Sequence, residues 1–190
     1  MYPTCGIVDV LAIPLTIIEG PVPNTSRRKV STMKKNAIAA VYKPEDNKLV
    51  IPGILTAYRF GGSKYSGDKE LYQVSVKTDS LTPELVAQIK KDYFSDTKDK
   101  YLPSFIKDIE EGKGNDGVYI NLKSQYEIPA FVDGEGNKRY SYDDVIDLGE
   151  GLPPTTSTVK VSCRLKEGAI YPLAVLFLEI RKQDASDYFD

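Results

Sequence analysis

Apolar and polar residues alternate with period two along several stretches of the chain, the signature of half-buried β-strands. The stretch Gly117–Phe131, GVYINLKSQYEIPAF, is the central one. In its first half Val118, Ile120 and Leu122 point one way and Tyr119, Asn121 and Lys123 the other. Glu70–Thr78 sets Tyr72, Val74 and Val76 against Gln73, Ser75 and Lys77. Thr158–Lys166 is the cleanest amphipathic strand, with Val159, Val161, Cys163 and Leu165 toward a core and Lys160, Ser162, Arg164 and Lys166 as a basic stripe. Ala37–Tyr42 and Leu49–Phe60 are strand-like and joined by the turn KPEDNK; Pro52-Gly53 inside the second predicts an edge position or a bulge. Ala174–Ile180 is apolar on both faces and predicts a fully covered central strand.

Two short helices interrupt this pattern. Thr82-Pro83 supplies an N-cap and a proline at the first helical position, and Leu85, Ile89 and Tyr93 follow at helical spacing. Tyr101, Phe105 and Ile109 repeat that spacing, predicting a helix from near Pro103 to Gly112 whose aromatics are core. Asp133–Asn137, DGEGN, reads as a hairpin turn, since its spacing does not match a calcium loop. Asp143, Asp144, Asp147 and Glu150 read as a polar loop. No internal repeat, low-complexity tract or heptad pattern is present.

Composition narrows the chemistry. The chain has 190 residues, 41% hydrophobic and 27% charged, as in an ordinary globular protein, and no apolar run reaches membrane-spanning length. The apolar N-terminus lacks a leading cation and is broken by Asp9 and Pro14, so it does not read as a signal peptide; a reducing cytosol is the default. Cys5 and Cys163 are the only cysteines, too few for a disulfide scaffold or a four-thiolate zinc site. Histidine is absent, which removes Ser-His-Asp and Cys-His catalysis, HExxH zinc sites and histidine proton shuttles. Glycine-rich phosphate loops are absent too. The four carboxylates at 143–150 have no strand context, so a metal-dependent nuclease is the weakest reading. No catalytic residue, metal or cofactor is expected.

The net charge of −2 hides an uneven distribution. Residues 1–65 carry nine Lys/Arg against four Asp/Glu, and residues 66–190 carry sixteen against twenty-three. Residues 24–36, NTSRRKVSTMKKN, form a basic arm with five cations and no anion. Tyr119, Asn121 and Lys123, side by side on one strand face, combine stacking, hydrogen bonding and phosphate pairing, as single-stranded nucleic-acid platforms do. Aromatics also flank a cation in Ala57-Tyr58-Arg59-Phe60, and the glycine loop GGSKYSG carries Lys64 and Tyr65 at its tip.

The order of these parts resembles the bacteriophage single-stranded-DNA-binding proteins built on an OB barrel, of the acidic-tailed type. An aromatic-basic strand end is followed by the Lys64-Tyr65 loop, ELYQVSVKT, a Pro-initiated helix, DGVYINLKS, EIPAFVDGEG, two long final strands and a short acidic-aromatic tail. The resemblance covers roughly residues 37–190. It implies a mainly β chain: residues 1–36 as an N-terminal extension, an OB-type five-stranded barrel with one or two short helices and loop insertions over 37–182, and a tail over 183–190. It further implies non-enzymatic, sequence-independent binding of single-stranded DNA in the cytoplasm of an infected bacterial host. Tyr58, Phe60, Tyr65 and Tyr119 are then the expected stackers. Arg59, Lys64, Lys77, Lys123, Lys160 and Arg164 are the expected phosphate partners. The tail, with Asp184, Asp187, Tyr188, Phe189 and Asp190, is expected to recruit a phage DNA polymerase and helicase-primase and to compete with DNA. The tail is sparse in acids for that family, and Phe189 is penultimate rather than terminal. No membrane partner is expected, and a homodimer is compatible with this reading. The alternative is a β-rich phage structural protein of capsid or tail.

Overall fold

The computed structural model describes residues 38–62, 70–151 and 154–181, all within one unit of the chain. Seven strands, β1 (Val41–Lys43), β2 (Lys48–Gly62), β3 (Glu70–Thr78), β4 (Val118–Ser124), β5 (Ala130–Val132), β6 (Thr158–Lys166) and β7 (Ala169–Glu179), make one sheet. Its order is β4-β3-β2-β6-β7-β5, with β1 paired to the start of β2. Every pairing is antiparallel except β5 with β7. The fold is thus mainly β, and its sheet is open. β4 comes beside β7, yet no hydrogen-bonded ladder joins them among the described residues.

β2 holds the sheet together because its fifteen residues serve three neighbours. One edge pairs with β6 over residues 48–54; the other pairs with β1 over 48–50 and with β3 over 54–62. Pro52 lies where this second edge changes partner. Its carbonyl accepts from Thr78 Oγ1 at 2.6 Å. In an antiparallel ladder the N–H and C=O of one residue point to the same side, so the missing N–H faces the gap between β1 and β3. The proline therefore interrupts no ladder bond. A bulge follows between Leu55 and Ala57. It shifts the alternation so that both Leu55 and Tyr58 are buried, while Ile54 and Arg59 are exposed.

The core lies on one face of this sheet. Leu49, Ile51, Val74, Val76, Ile120, Leu122, Val161, Leu165, Val175 and Phe177 are all buried, as the period-two pattern predicts for β3, β4 and β6. Three helices belong to the same unit: α1 (Pro83–Tyr93), α2 (Ser104–Glu110) and α3 (Tyr142–Leu148). The Leu85 amide donates to Thr82 Oγ1 at 3.3 Å, so the expected cap is present; Val86 and Ile89 are the buried residues of α1. In α2, Phe105 and Ile106 are buried but Tyr101, ahead of the helix, is 67% exposed, which corrects its expected place in the core.

Two further expectations need correction. The acidic stretch at 143–150 is largely helical, not a loop. Ser141 and Asp144 form a reciprocal capping box, and Val145 is buried beneath. A third helix results where one or two were expected. β7 is interior to the sheet, between β6 and β5, but not covered on both faces; Ala174 and Leu176 are only half-buried on its outer side. The Asp133–Asn137 turn does close a hairpin-like return, through an antiparallel bridge between Ala130 and Tyr140.

Close backbone approach fixes two glycines at the end of β3. A Cβ on Gly53 would lie 2.5 Å from the Lys77 carbonyl oxygen, and one on Gly117 would lie 2.9 Å from that of Thr78, with φ at +87°. Gly53→Ala must therefore push β3 away from β2. It is expected to destabilise the fold by about 1–3 kcal/mol, read by urea denaturation. An unchanged unfolding midpoint would show that the strands separate there without cost.

Candidate nucleic-acid interface

The face of the sheet opposite the core is built by register. Arg59, Gln73 and Lys123 lie opposite one another across β2, β3 and β4; Ala57, Ser75 and Asn121 form the next row; Ile54, Lys77 and Tyr119 form the third. Because opposed residues share a face, these side chains stand about 5 Å apart across the strands and about 7 Å apart along them. Tyr119 is 54% exposed and Lys77 Nζ lies 5.7 Å from its ring centroid. Arg59 donates through Nε and Nη2 to Gln73 Oε1, and Gln73 in turn donates to Ser75 Oγ. That chain ties the guanidinium to the β3 side chains of the same face.

The basic stripe of β6 continues the same face. Lys160 lies opposite Pro52, and Arg164 opposite Lys48 on one side and Tyr171 on the other. Between the β3–β4 rows and this end lies a groove of about 650 Å³, lined by Val50, Lys160, Ser162, Ala174, Leu176 and Phe131 and walled by the Asp133–Asn137 turn.

Charge is sorted by secondary structure. The seven strands carry eight cations, Lys43, Lys48, Arg59, Lys77, Lys123, Lys160, Arg164 and Lys166, and two acids, Glu70 and Glu179. Helices α1 to α3 carry three cations, Lys90, Lys91 and Lys107, and seven acids, Glu84, Asp92, Asp108, Glu110, Asp143, Asp144 and Asp147. All eight strand cations fall on the outer face by register. The ion pairs among the described residues, Lys90–Glu110, Lys113–Glu111 and Arg139–Glu127, involve none of them.

The structure separates the expected site residues into groups. Arg59, Lys77, Tyr119, Lys123, Lys160 and Arg164 share the outer face. Tyr58 does not: it is 2% exposed, its hydroxyl donates to the Ile128 carbonyl at 2.6 Å, and its ring stacks on Tyr142 at 5.5 Å. As a base-stacking residue it is excluded by burial. Phe60 shares the inner face, stacked 4.4 Å from Tyr72, yet remains 41% exposed where β2 ends. It is thus turned away from Arg59 rather than flanking it on one surface. Lys64 and Tyr65, the basic arm at 24–36, and the tail residues Asp184, Asp187, Tyr188, Phe189 and Asp190 lie outside the described residues.

Lys43, Lys48 and Tyr171 join the outer face without having been expected there. Lys43 and Lys48 flank a turn, and only the β1–β2–β6 register sets them beside Arg164. For Tyr171 the signal was its place opposite Arg164 in a hairpin closed by Glu167-Gly168.

Among the described residues no three acidic or cysteine side chains converge as a metal site, and no helix is long and apolar enough to cross a membrane. Cys163 is buried, and burial pushes its thiol up to about 12 from an ordinary 9.0. Burial also raises the hydroxyls of Tyr42, with the Asp92 hydrogen bond adding to the effect, and of Tyr58, with the Glu127 charge adding. Comparison with family models, with curated proteins and with solved structures gives no match.

These raised values set an alkaline limit. A folded thiol that keeps its proton to higher pH than the unfolded one adds stability that is complete below pH 9.0 and is lost as the pH rises toward 12. Tyr42 and Tyr58 act in the same direction above their ordinary 10.0. The thermal midpoint is expected to fall between pH 9 and 12. In a Cys5→Ser variant, Ellman's reagent should label Cys163 only on unfolding; rapid labelling of the folded protein at pH 8 would contradict its burial.

Proposed function

We propose that the chain binds single-stranded DNA without sequence preference, as a non-enzymatic protein of the bacteriophage single-strand-binding type acting in the cytoplasm of an infected bacterial host. The observation that carries this reading is the set of eight cations on one sheet face, free of ion pairs with described residues and interleaved with exposed Tyr119. Cations two residues apart along a strand, or one strand apart, track a phosphodiester backbone; an exposed ring between them takes a base without reading its identity. Asn121 adds a donor and acceptor in the adjacent row. The approach of β4 to the first residues of β7, where Ile120, Leu122, Ala169 and Ile170 line a cleft of about 230 Å³, supports reading the open sheet as an OB-type barrel parted at that seam.

Binding should weaken linearly in log[salt], by roughly 0.7 per phosphate contact. Tyr119→Ala should cost about 1–3 kcal/mol of affinity with the thermal midpoint unchanged, since the ring is exposed. Fluorescence anisotropy on a dT oligonucleotide across a salt series measures both. A protein that binds no single strand at low salt would favour the alternative, a β-rich phage capsid or tail component. Degradation of the oligonucleotide on adding magnesium would assign a nuclease.

On the same reading the tail 183–190 recruits the polymerase and helicase-primase and competes with DNA for the cationic face. Deleting it is expected to tighten DNA binding, most at low salt where screening is weakest, and to abolish partner association. Unaltered affinity across the salt series, with partners retained, would leave the tail a solubilising terminus.

A further inference from the structure

We infer that the far end of the outer face, built by Lys43, Lys48, Arg164, Lys166 and Tyr171, is a second contact point for the same single strand, with Tyr171 as its base-stacking platform. The inference rests on the single-strand-binding reading and adds to it a second subsite and a minimum length of strand. Lys43 pairs with Lys48, Lys48 with Arg164, and Arg164 with Tyr171, so one register row crosses β1, β2, β6 and β7. Tyr171 is 46% exposed and Lys166 Nζ sits 5.5 Å from its ring centroid. This repeats the chemistry of Lys77 over Tyr119 at the opposite end of the face. The acids nearest in sequence, Glu45, Asp46 and Glu167, lie in the hairpin turns, and none pairs with these cations among the described residues. Four adjacent cations around an exposed ring match a polyanion that carries flat apolar bases. A protein surface would have to supply a row of carboxylates spaced like phosphates.

Register also gives the separation. The Tyr119 row meets β2 at Ile54 and the Tyr171 row meets it at Lys48, six residues or roughly 20 Å along the strand. From β4 to β7 are four strand spacings, again roughly 20 Å. The diagonal of nearly 30 Å needs roughly four to eight internucleotide steps, from about 3.4 Å per step when stacked to about twice that when extended, so about five nucleotides are the fewest that reach both ends. Lys160 and Ser162, in the groove between, lie along the route.

The test compares dT4, too short to bridge both ends, with dT12, using fluorescence anisotropy of the full chain and of a Lys43→Ala/Lys48→Ala/Tyr171→Ala variant. All three side chains leave the core untouched, and a thermal midpoint checks the fold. The variant is expected to lose tenfold or more in affinity for dT12 and about twofold or less for dT4. Its salt slope on dT12 should flatten by about 1.4, two phosphate contacts at 0.7 each. Equal losses on both lengths, or no loss on dT12 while Tyr119→Ala still weakens it, would overturn the second subsite and leave the binding reading intact. A wild-type chain that binds neither oligonucleotide overturns both. A variant whose sedimentation mass changes while its DNA affinity does not would assign this end to self-association instead.

Discussion

Everything in this sheet depends on one strand meeting two incompatible demands. β2 must run straight enough to pair with β6 along its first half and with β3 along its second, on opposite edges, while β1 occupies part of the β3 edge. The handover happens within a few residues, at Pro52, Gly53 and the bulge before Ala57. Proline sits where no ladder bond is available to lose. Glycine sits where the Lys77 carbonyl comes too near for any Cβ. The bulge then re-aims the strand so that Tyr58 turns inward to meet Ile128 and Tyr142, and Arg59 turns outward to meet Gln73. Had alternation continued unbroken from Leu49, Arg59 would point into the core.

That re-aiming explains what was legible in the sequence and what was not. Alternation of β3, β4 and β6 and the capped start of α1 could be read directly, because each is a local pattern that the buried face enforces. Pro52-Gly53 was readable as an edge or bulge for residue-specific reasons: proline has no N–H to give a ladder, and glycine, without a Cβ, marks a bulge or a close backbone approach. Lys77, Tyr119, Lys123, Lys160 and Arg164 could be placed on an outer face because each lies on a strand whose own pattern faces it outward, whereas Arg59 faces outward only through the bulge in β2. Tyr58 was misplaced because an aromatic beside a cation looks like a binding motif, whereas adjacent strand residues face opposite ways. The α3 helix was missed because its acids resemble a solvated loop, although Ser141 three residues before Asp144 is a capping signature. Lys43 and Lys48 could not be found without the register, since no local feature ties the β1–β2 hairpin to the β6–β7 hairpin in one row; the signal for Tyr171 lay in its own hairpin, opposite Arg164.

The aromatic residues divide by the same logic. Tyr58, Phe60, Tyr72 and Tyr142 form a cluster on the inner side, with Phe60 and Tyr72 each edge-on to Tyr142 at just over 6 Å. It closes the end of the core where β2 and β3 run beyond their neighbours. Tyr119 and Tyr171 on the outer side make no ring–ring contact among the described residues and carry a lysine instead. Burying a ring against other rings stabilises the fold; leaving one exposed beside a cation adds little to it.

The cations of the outer face add little stability to the free protein: Arg59 bonds Gln73, and Lys77 and Lys166 lie over exposed rings, but none has a carboxylate partner among the described residues. Lys43 directly opposite Lys48, and Lys48 opposite Arg164, are like charges at cross-strand distance, which disfavours the pairing that the backbone imposes. Exposed ion pairs contribute so little that supplying carboxylates opposite these lysines would stabilise the fold only marginally. Removing the lysines would do as much, yet the acids are on the helices and the cations on the strands. On the proposed reading, a polyanion lying across the face would relieve the repulsion row by row, and each phosphate neutralised would release counterions held there and on the strand. On that reading, the repulsion that slightly strains the free sheet would become part of the energy that holds the strand. A chain of net charge −2 thereby presents a strongly cationic surface without being a basic protein.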